Sequence, residues 1–225
     1  MNKNIENEND TATAFMAWDN RWSTEQGRAD WTAPEEDIVH IIPVLRKRDC
    51  STLLDLGCGV GRHCLLFATQ GFKVFGVDAS PNACRLTKKT ALETGLSVDI
   101  RHALMTELPF EDGSFDYVLA WNVIYHGTQD VVRRTLAEIR RILRPGGIFQ
   151  GTMLSTRDRY YGSGQQIDAN TFAANCADEE KRHPHFYCNG DELVSLLKDF
   201  HILSLLLCEQ KSSRSYHWNF VAVKL

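Results

Sequence analysis

Between residues 50 and 155, short apolar runs alternate with stretches whose apolar residues recur every three or four positions. Leu53–Leu56, Lys73–Val77, Leu96–Arg101, Phe115–Trp121 and Ile148–Leu154 are compact and rich in branched or aromatic residues, which predicts five strands. Gly61–Gln70 and Pro81–Glu93 read as helices, the second capped by Ser80 with Pro81 in the first helical position. Val132, Leu136, Ile139 and Leu143 share one face of a helix over Val131–Leu143, which Arg144-Pro145-Gly146-Gly147 ends. Strands alternating with helices in this way imply parallel βαβ units with right-handed crossovers, hence a three-layer α/β/α sandwich.

The pattern changes on either side. Ala14, Phe15, Trp18 and Trp22 form one stripe, Trp31 follows, and Ala33–Asp37 opens a helix whose apolar face is Ile38, Ile41, Ile42 and Leu45. Residues 1–10 are expected to fray. Residues 1–48 read as a helical region that either packs its stripe on the domain or closes over a ligand as a lid or cap. Residues 49–225 form the main domain, with an insertion at about 155–189 that has no clean period and is long enough to suggest function. Beyond it, Asp191–Phe200 reads as a helix, and Ile202–Cys208 and Tyr216–Val223 as the strands of a hairpin around Gln210–Arg214.

The first strand runs into Asp55-Leu56-Gly57-Cys58-Gly59-Val60-Gly61 and then directly into a helix. Glycines there let the backbone approach a ligand, and the helix start adds unpaired N–H groups and a positive dipole end. The second strand ends in Asp78, seventeen positions beyond Gly61, where a carboxylate can accept from both hydroxyls of a ribose. A nucleotide-like ligand is implied. A dinucleotide-dependent oxidoreductase shares these features, but its glycines follow Gly-x-Gly-x-x-Gly, whereas these follow Gly-x-Gly-x-Gly.

Four ordered blocks, Asp55–Gly61, Gly76-Val77-Asp78-Ala79-Ser80, Leu108-Pro109-Phe110-Glu111-Asp112-Gly113-Ser114-Phe115-Asp116 and Arg144–Gly147, make residues 50–154 resemble the class I S-adenosylmethionine-dependent methyltransferases. The resemblance implies a Rossmann-like, mostly parallel seven-stranded sheet with an antiparallel last strand. It implies S-adenosyl-L-methionine as cofactor, S-adenosyl-L-homocysteine as product and a small-molecule methyl acceptor. Gly57, Cys58, Gly59 and Gly61 would face the methionine part and ribose, Asp55 would organise the turn or bind the ammonium group, and Asp78 would take the ribose hydroxyls. Leu104-Met105 stands where many relatives carry Asp-Ala, so the adenine pocket would rest on apolar contact from Ala79, Leu104 and Met105 and on backbone groups. Trp121 and Asn122 would close over the methionine and its methyl group. A non-catalytic binder of the same molecule is the remaining alternative.

A sulfonium methyl group is already activated, so the protein's main task is alignment. Should a base be needed, His126 is the candidate, with a packing histidine as the plain alternative. Tyr160 and Tyr161 open the insertion and either wall the acceptor pocket or sit on a surface loop. Cys176, His183, His185 and Cys188 carry metal-ligand chemistry, but their spacing matches no common structural zinc pattern, so no metal is expected.

Composition adds bounds rather than a function. A net charge of -4 without a basic block disfavours nucleic acid as a partner. No apolar run approaches the roughly 20 residues that cross a bilayer. Residues 1–10 lack the basic-then-apolar order of an export signal, and seven scattered cysteines suit free thiols, so the cytoplasm is the expected compartment.

Overall fold

The computed structural model describes residues 9–176, 179–210 and 213–225; the expectation of fraying falls mostly on residues 1–8, outside that set. Its helices are α1 (Asn9–Trp22), α2 (Glu25–Arg28), α3 (Glu36–Lys47), α4 (Arg62–Thr69), α5 (Pro81–Glu93), α6 (Gln129–Ile142) and α7 (Gly190–Leu196). The strands are β1 (Thr52–Leu56), β2 (Lys73–Asp78), β3 (Val98–His102), β4 (Phe115–Ala120), β5 (Leu143–Ser155), β6 (Gln165–Asp168), β7 (Thr171–Ala173), β8 (His185–Cys188), β9 (Phe200–Glu209) and β10 (Tyr216–Lys224).

β3, β2, β1, β4 and β5 lie side by side and parallel, as the alternation of strands and helices requires. β10 pairs antiparallel with both β5 and β9, so the last strand lies between the fifth and the one before it. This is the expected seven-stranded sheet. The insertion adds three more strands: β6 and β7 form a hairpin, β7 pairs with β8, and β8 joins the end of β5 through Leu154↔Tyr187 and Ser155↔Cys188.

The two faces of the sheet bury different clusters. Leu54, Leu56, Val118 and Ala120 pack with Val132, Leu136, Ile139 and Ile142 of α6. Leu53, Tyr117 and Leu119, their immediate chain neighbours, pack with Ile38, Ile41, Ile42 and Leu45 of α3 and with Phe67 of α4. Successive side chains of a strand point to opposite faces, so a strand covered on both sides is nearly all apolar; every residue of β4 is buried, and its one charged residue, Asp116, accepts from the Ser51 and Thr52 N–H groups.

Two expected boundaries move. The helix after the insertion is α7, only seven residues long, because Asn189 and Glu192 cap it reciprocally and Phe200 already belongs to β9. α6 ends when Leu143 turns extended (ψ 138) and pairs with Phe115, so strand geometry begins before the Pro-Gly-Gly stretch.

The Leu108–Asp112 block has a structural task. Arg141 donates to the carbonyls of Leu108 (3.0 Å) and Phe110 (2.7 Å) and pairs with Asp112 and Glu138, while Glu138 accepts from the Leu108 N–H. These contacts fix the segment that follows Ala103–Met105. Arg141→Ala is expected to cost about 2 kcal/mol in urea unfolding, the value of charged hydrogen bonds reduced for partial exposure.

Candidate functional site

A cavity of about 920 Å³, its open mouth included, lies at the carboxyl ends of β1, β2 and β4. That is where open α/β sheets hold ligands. Its walls include Gly57, Cys58, Gly59, Asp78, Ala79, Leu104, Met105, Trp121, Asn122 and His126. Eleven residues were expected to hold a cofactor. Nine of them line this one cavity, while Asp55 and Gly61 do not.

The turn is built by hydrogen bonds to the neighbouring strand tip. Gly57 and Cys58 donate to the Val77 carbonyl (2.7 and 3.0 Å), and Gly59 donates to one Asp78 oxygen (2.8 Å). The other Asp78 oxygen accepts from Ser80 N–H (2.8 Å), so this carboxylate ties together both loops facing the cavity. Burial raises its pKa, against the lowering effect of those two bonds. Gly59 has φ +54, and a Cβ there would stand 3.3 Å from the Trp22 ring, so the narrow space between turn and N-terminal helix requires glycine. Asp55 is buried, accepts from Cys64 Sγ–H (3.4 Å) and is pushed up to about 7 by desolvation.

The segment after β4 is held as firmly. Asn122 takes a left-handed conformation (φ 58), its N–H donates to Thr152 Oγ1 (2.8 Å), and its side-chain oxygen accepts from the same hydroxyl (3.1 Å) and lies 3.1 Å from His217 Nδ1. Trp121 is buried, and its indole N–H has no partner among the described residues. His126 Nε2 lies 3.2 Å from the Asn122 carbonyl, and Nδ1 lies 2.8 Å from His183 Nε2. Burial and the neighbouring His185 hold its pKa well below the ordinary histidine value. Both ring nitrogens are therefore engaged, an arrangement suited to a packing histidine.

The insertion's tyrosines are placed elsewhere. Tyr160 lies under the Arg159 guanidinium (4.8 Å), and Tyr161 donates to Asn170 Oδ1 (2.9 Å); neither lines the cavity. Cys188 is buried with its thiol 3.8 Å from the Leu154 carbonyl. All seven cysteines are free.

The N-terminal region supplies the cavity's remaining walls. Ala14, Phe15, Trp18, Trp22 and Trp31 line it. Trp18 stacks on Trp22 (5.1 Å), meets Trp31 edge-on (5.2 Å) and approaches His126 (5.9 Å). Asp19 anchors α1 to the start of α5, accepting from Ser80 Oγ (2.6 Å), Asn82 N (2.8 Å) and Asn82 Nδ2 (3.0 Å). Arg62 and His63 also line the cavity. Arg62 sits over Trp31 and pairs with Glu35 (2.8 Å); His63 Nε2 accepts from Glu35 N–H, and burial next to Arg62 pushes its pKa down to about 3. No separate sequence signal marks these two, which sit just past the glycine turn on the first turn of α4.

Residues 53–147 match a family model described as a methyltransferase domain. A sterol 4-C-methyltransferase of Caenorhabditis elegans is 34% identical over 49% of this chain and 33% of its own length. A ubiquinone biosynthesis O-methyltransferase of Roseobacter denitrificans is 31% identical over 48% of this chain and 43% of its own. The chain thus spans less than half the length of either relative. A solved 1,6-didemethyltoxoflavin-N1-methyltransferase of Burkholderia thailandensis, with its acceptor and S-adenosylhomocysteine bound, superposes over 100% of this chain and 92% of its own with a TM-score of 0.70 at 22% identity, a likeness of fold. The sheet order, and the glycine turn and Asp78 on one cavity, accompany that match, so residues 53–147 carry the methyltransferase domain that the family model describes.

Proposed function

We propose that this chain transfers a methyl group from S-adenosylmethionine to a small-molecule acceptor. The observation that carries the reading is that Asp78 and the Gly57–Gly59 turn face one mostly apolar cavity roofed by aromatic side chains. The residues suit the cofactor: a carboxylate for the ribose hydroxyls, glycine backbone along the turn, and Ala79, Leu104 and Met105 as an apolar bed for adenine. The Trp121 indole N–H is a buried donor available to a ligand oxygen. Bound there, the cofactor supplies an activated methyl group; the chain's part is to orient both molecules and keep water out, which contributes up to about 7–11 kcal/mol in well-aligned systems.

Residues 1–48 serve as the lid, with α1 closing the mouth through Trp18 and Trp22 while Asp19 latches it to α5. His126 is a wall of the cavity rather than a general base, because both of its nitrogens are engaged. Phe15, Trp18 and Trp31 offer flat apolar surface, which favours an acceptor with a planar or apolar face. Free cysteines suit a reducing compartment such as the cytoplasm. No described helix is long and apolar enough to cross a membrane.

Two measurements test the reading. S-adenosylhomocysteine is expected to raise the melting temperature while NAD leaves it unchanged, and S-adenosylhomocysteine is expected to form when S-adenosylmethionine is supplied with a panel of planar hydroxy, amino and thiol compounds. Stabilisation by NAD alone overturns the cofactor assignment. Asp19→Ala is expected to leave the fold intact, weaken S-adenosylhomocysteine about tenfold and speed its release, since the latch is lost and the pocket floor is kept. An unchanged off-rate removes the lid from the account.

A further inference from the structure

His126, Glu180, His183 and His185 come together on the far side of the cavity wall, all buried, with one potential ligand atom from each lying within 4.8 Å of all the others. We propose that these four residues form a divalent metal site, with zinc as its natural occupant, that fastens the insertion to the rim of the cavity. Three imidazoles and one carboxylate are a donor set for borderline cations such as zinc rather than for magnesium or calcium.

Three features of the cluster point the same way. First, its protons are already arranged. The Asn122 and His183 carbonyls can only accept, so His126 Nε2 (3.2 Å) and His185 Nδ1 (2.8 Å) must carry hydrogens. In the neutral rings the opposite nitrogens then turn lone pairs into the cluster. A backbone carbonyl that fixes the tautomer in this way is the usual outer support of a metal-bound histidine.

Second, one of those lone pairs faces no donor. His185 Nε2 lies 3.1 Å from Glu180 Oε1, two acceptors in contact unless an extra proton or an ion lies between them. His126 Nδ1 and His183 Nε2 are 2.8 Å apart, a hydrogen bond when His183 Nε2 carries its proton; to share an ion with bonds of about 2.0–2.1 Å they would part to about 3.3–3.5 Å and the His183 proton would sit on Nδ1, which has no partner among the described residues. The widest separation needs side-chain shifts of about an ångström to close. Lys181 pairs with Glu180 from outside the cluster (3.0 Å) and balances part of its charge without entering the ligand set.

Third, the backbone around the site is rigid. His126 and His185 form a β-bridge, Gly127 N–H donates to the Pro184 carbonyl (2.8 Å), and Phe186 N–H donates to the Tyr125 carbonyl (2.9 Å). Two of the four ligands, His126 and His185, therefore hang from paired backbone, while Glu180 sits in the single 3-10 turn Glu179–Arg182 and His183 directly follows it. Glu180 lies 54 residues after His126, a separation no short motif spans, and Cys176 and Cys188 are not part of the cluster.

The test is metal binding read apart from methyl transfer. Full-length chain stripped with a chelator is titrated with zinc by calorimetry and with cobalt by visible absorption. One equivalent is expected to bind, with the intense visible bands of four-coordinate cobalt. Hydrogen exchange at Gly127 and Phe186 should slow when zinc is added. His183→Gln and Glu180→Gln, two residues that do not line the cavity, should each weaken zinc at least tenfold while far-UV circular dichroism keeps the native spectrum. Absence of saturable zinc or cobalt binding by the stripped wild-type chain overturns the site, whether or not the variants fold. Binding undiminished in folded variants also overturns it, by placing the metal elsewhere.

Discussion

Replacing Asp78 by alanine is expected to lower the affinity for S-adenosylhomocysteine at least a hundredfold, measured by calorimetry. Hydrogen bonds to an ionised group contribute about 1.5–3 kcal/mol each, so losing two ribose contacts alone removes about 3 kcal/mol or more. A second loss adds to it. The same carboxylate accepts from Gly59 N–H and Ser80 N–H, so its removal frees both loops that face the ligand. Asp78→Asn separates the two effects: the amide keeps one acceptor but turns a donor toward a backbone N–H. It should fall between wild type and alanine. Acidity gives an independent readout. Burial raises the Asp78 pKa from its ordinary value, so in wild type the affinity should fall toward acid pH earlier than an unperturbed carboxylate predicts. In Asp78→Asn that component should be absent. Affinity unaltered in the alanine variant removes the ribose assignment and the functional reading with it.

What could be read from the sequence, and what could not, divides along a physical line. The glycine turn, Asp78 and the five parallel strands were legible because each is specified locally: an apolar run, a positive-φ residue, an acid at a strand tip. Leu104 and Met105 were legible only through their distance from the Leu108 block, and both line the cavity. The insertion was not legible. β6 is exposed at every position and β8 is buried at every position, so neither shows the alternation that marks a half-buried strand. β8 is buried because it pairs with Leu154 and Ser155 on one side and β7 on the other, partners that lie more than ten residues away in the chain. The same holds for β10. Its hairpin with β9 follows from the short link between them, but its pairing with β5 is a tertiary choice that no local signal records. Trp18 and Trp22 were visible in an apolar stripe, with Trp31 following it, yet only the tertiary structure sets these rings against Gly59 and His126.

The second large effect is on stability, at the last glycine of the turn. Gly61→Ala is expected to destabilise the fold by about 3 kcal/mol, measured as a lower urea midpoint with an unchanged slope. Gly61 has φ +85, a region that costs an L-residue roughly 1–2 kcal/mol. An added Cβ would also stand 2.8 Å from Thr87 Oγ1 and clash with Thr87 Cγ2, and crowding of this kind costs about 1–3 kcal/mol. Thr87 cannot simply move aside, because its hydroxyl donates to the Gly59 carbonyl (2.9 Å) from the buried face of α5. Thr87→Ser removes the offending methyl and keeps the hydroxyl, so in the Gly61→Ala background it should return about 1 kcal/mol. The same change made alone should cost about that much. The sign reversal is the coupling a double-mutant cycle reads, and it assigns that part of the loss to contact and the rest to backbone strain. Because the displaced Thr87 holds the carbonyl of the residue whose N–H binds Asp78, the single variant should also bind S-adenosylhomocysteine more weakly. Recovery of stability by Thr87→Ser without recovery of that affinity would place the damage in the turn's conformation rather than in its packing.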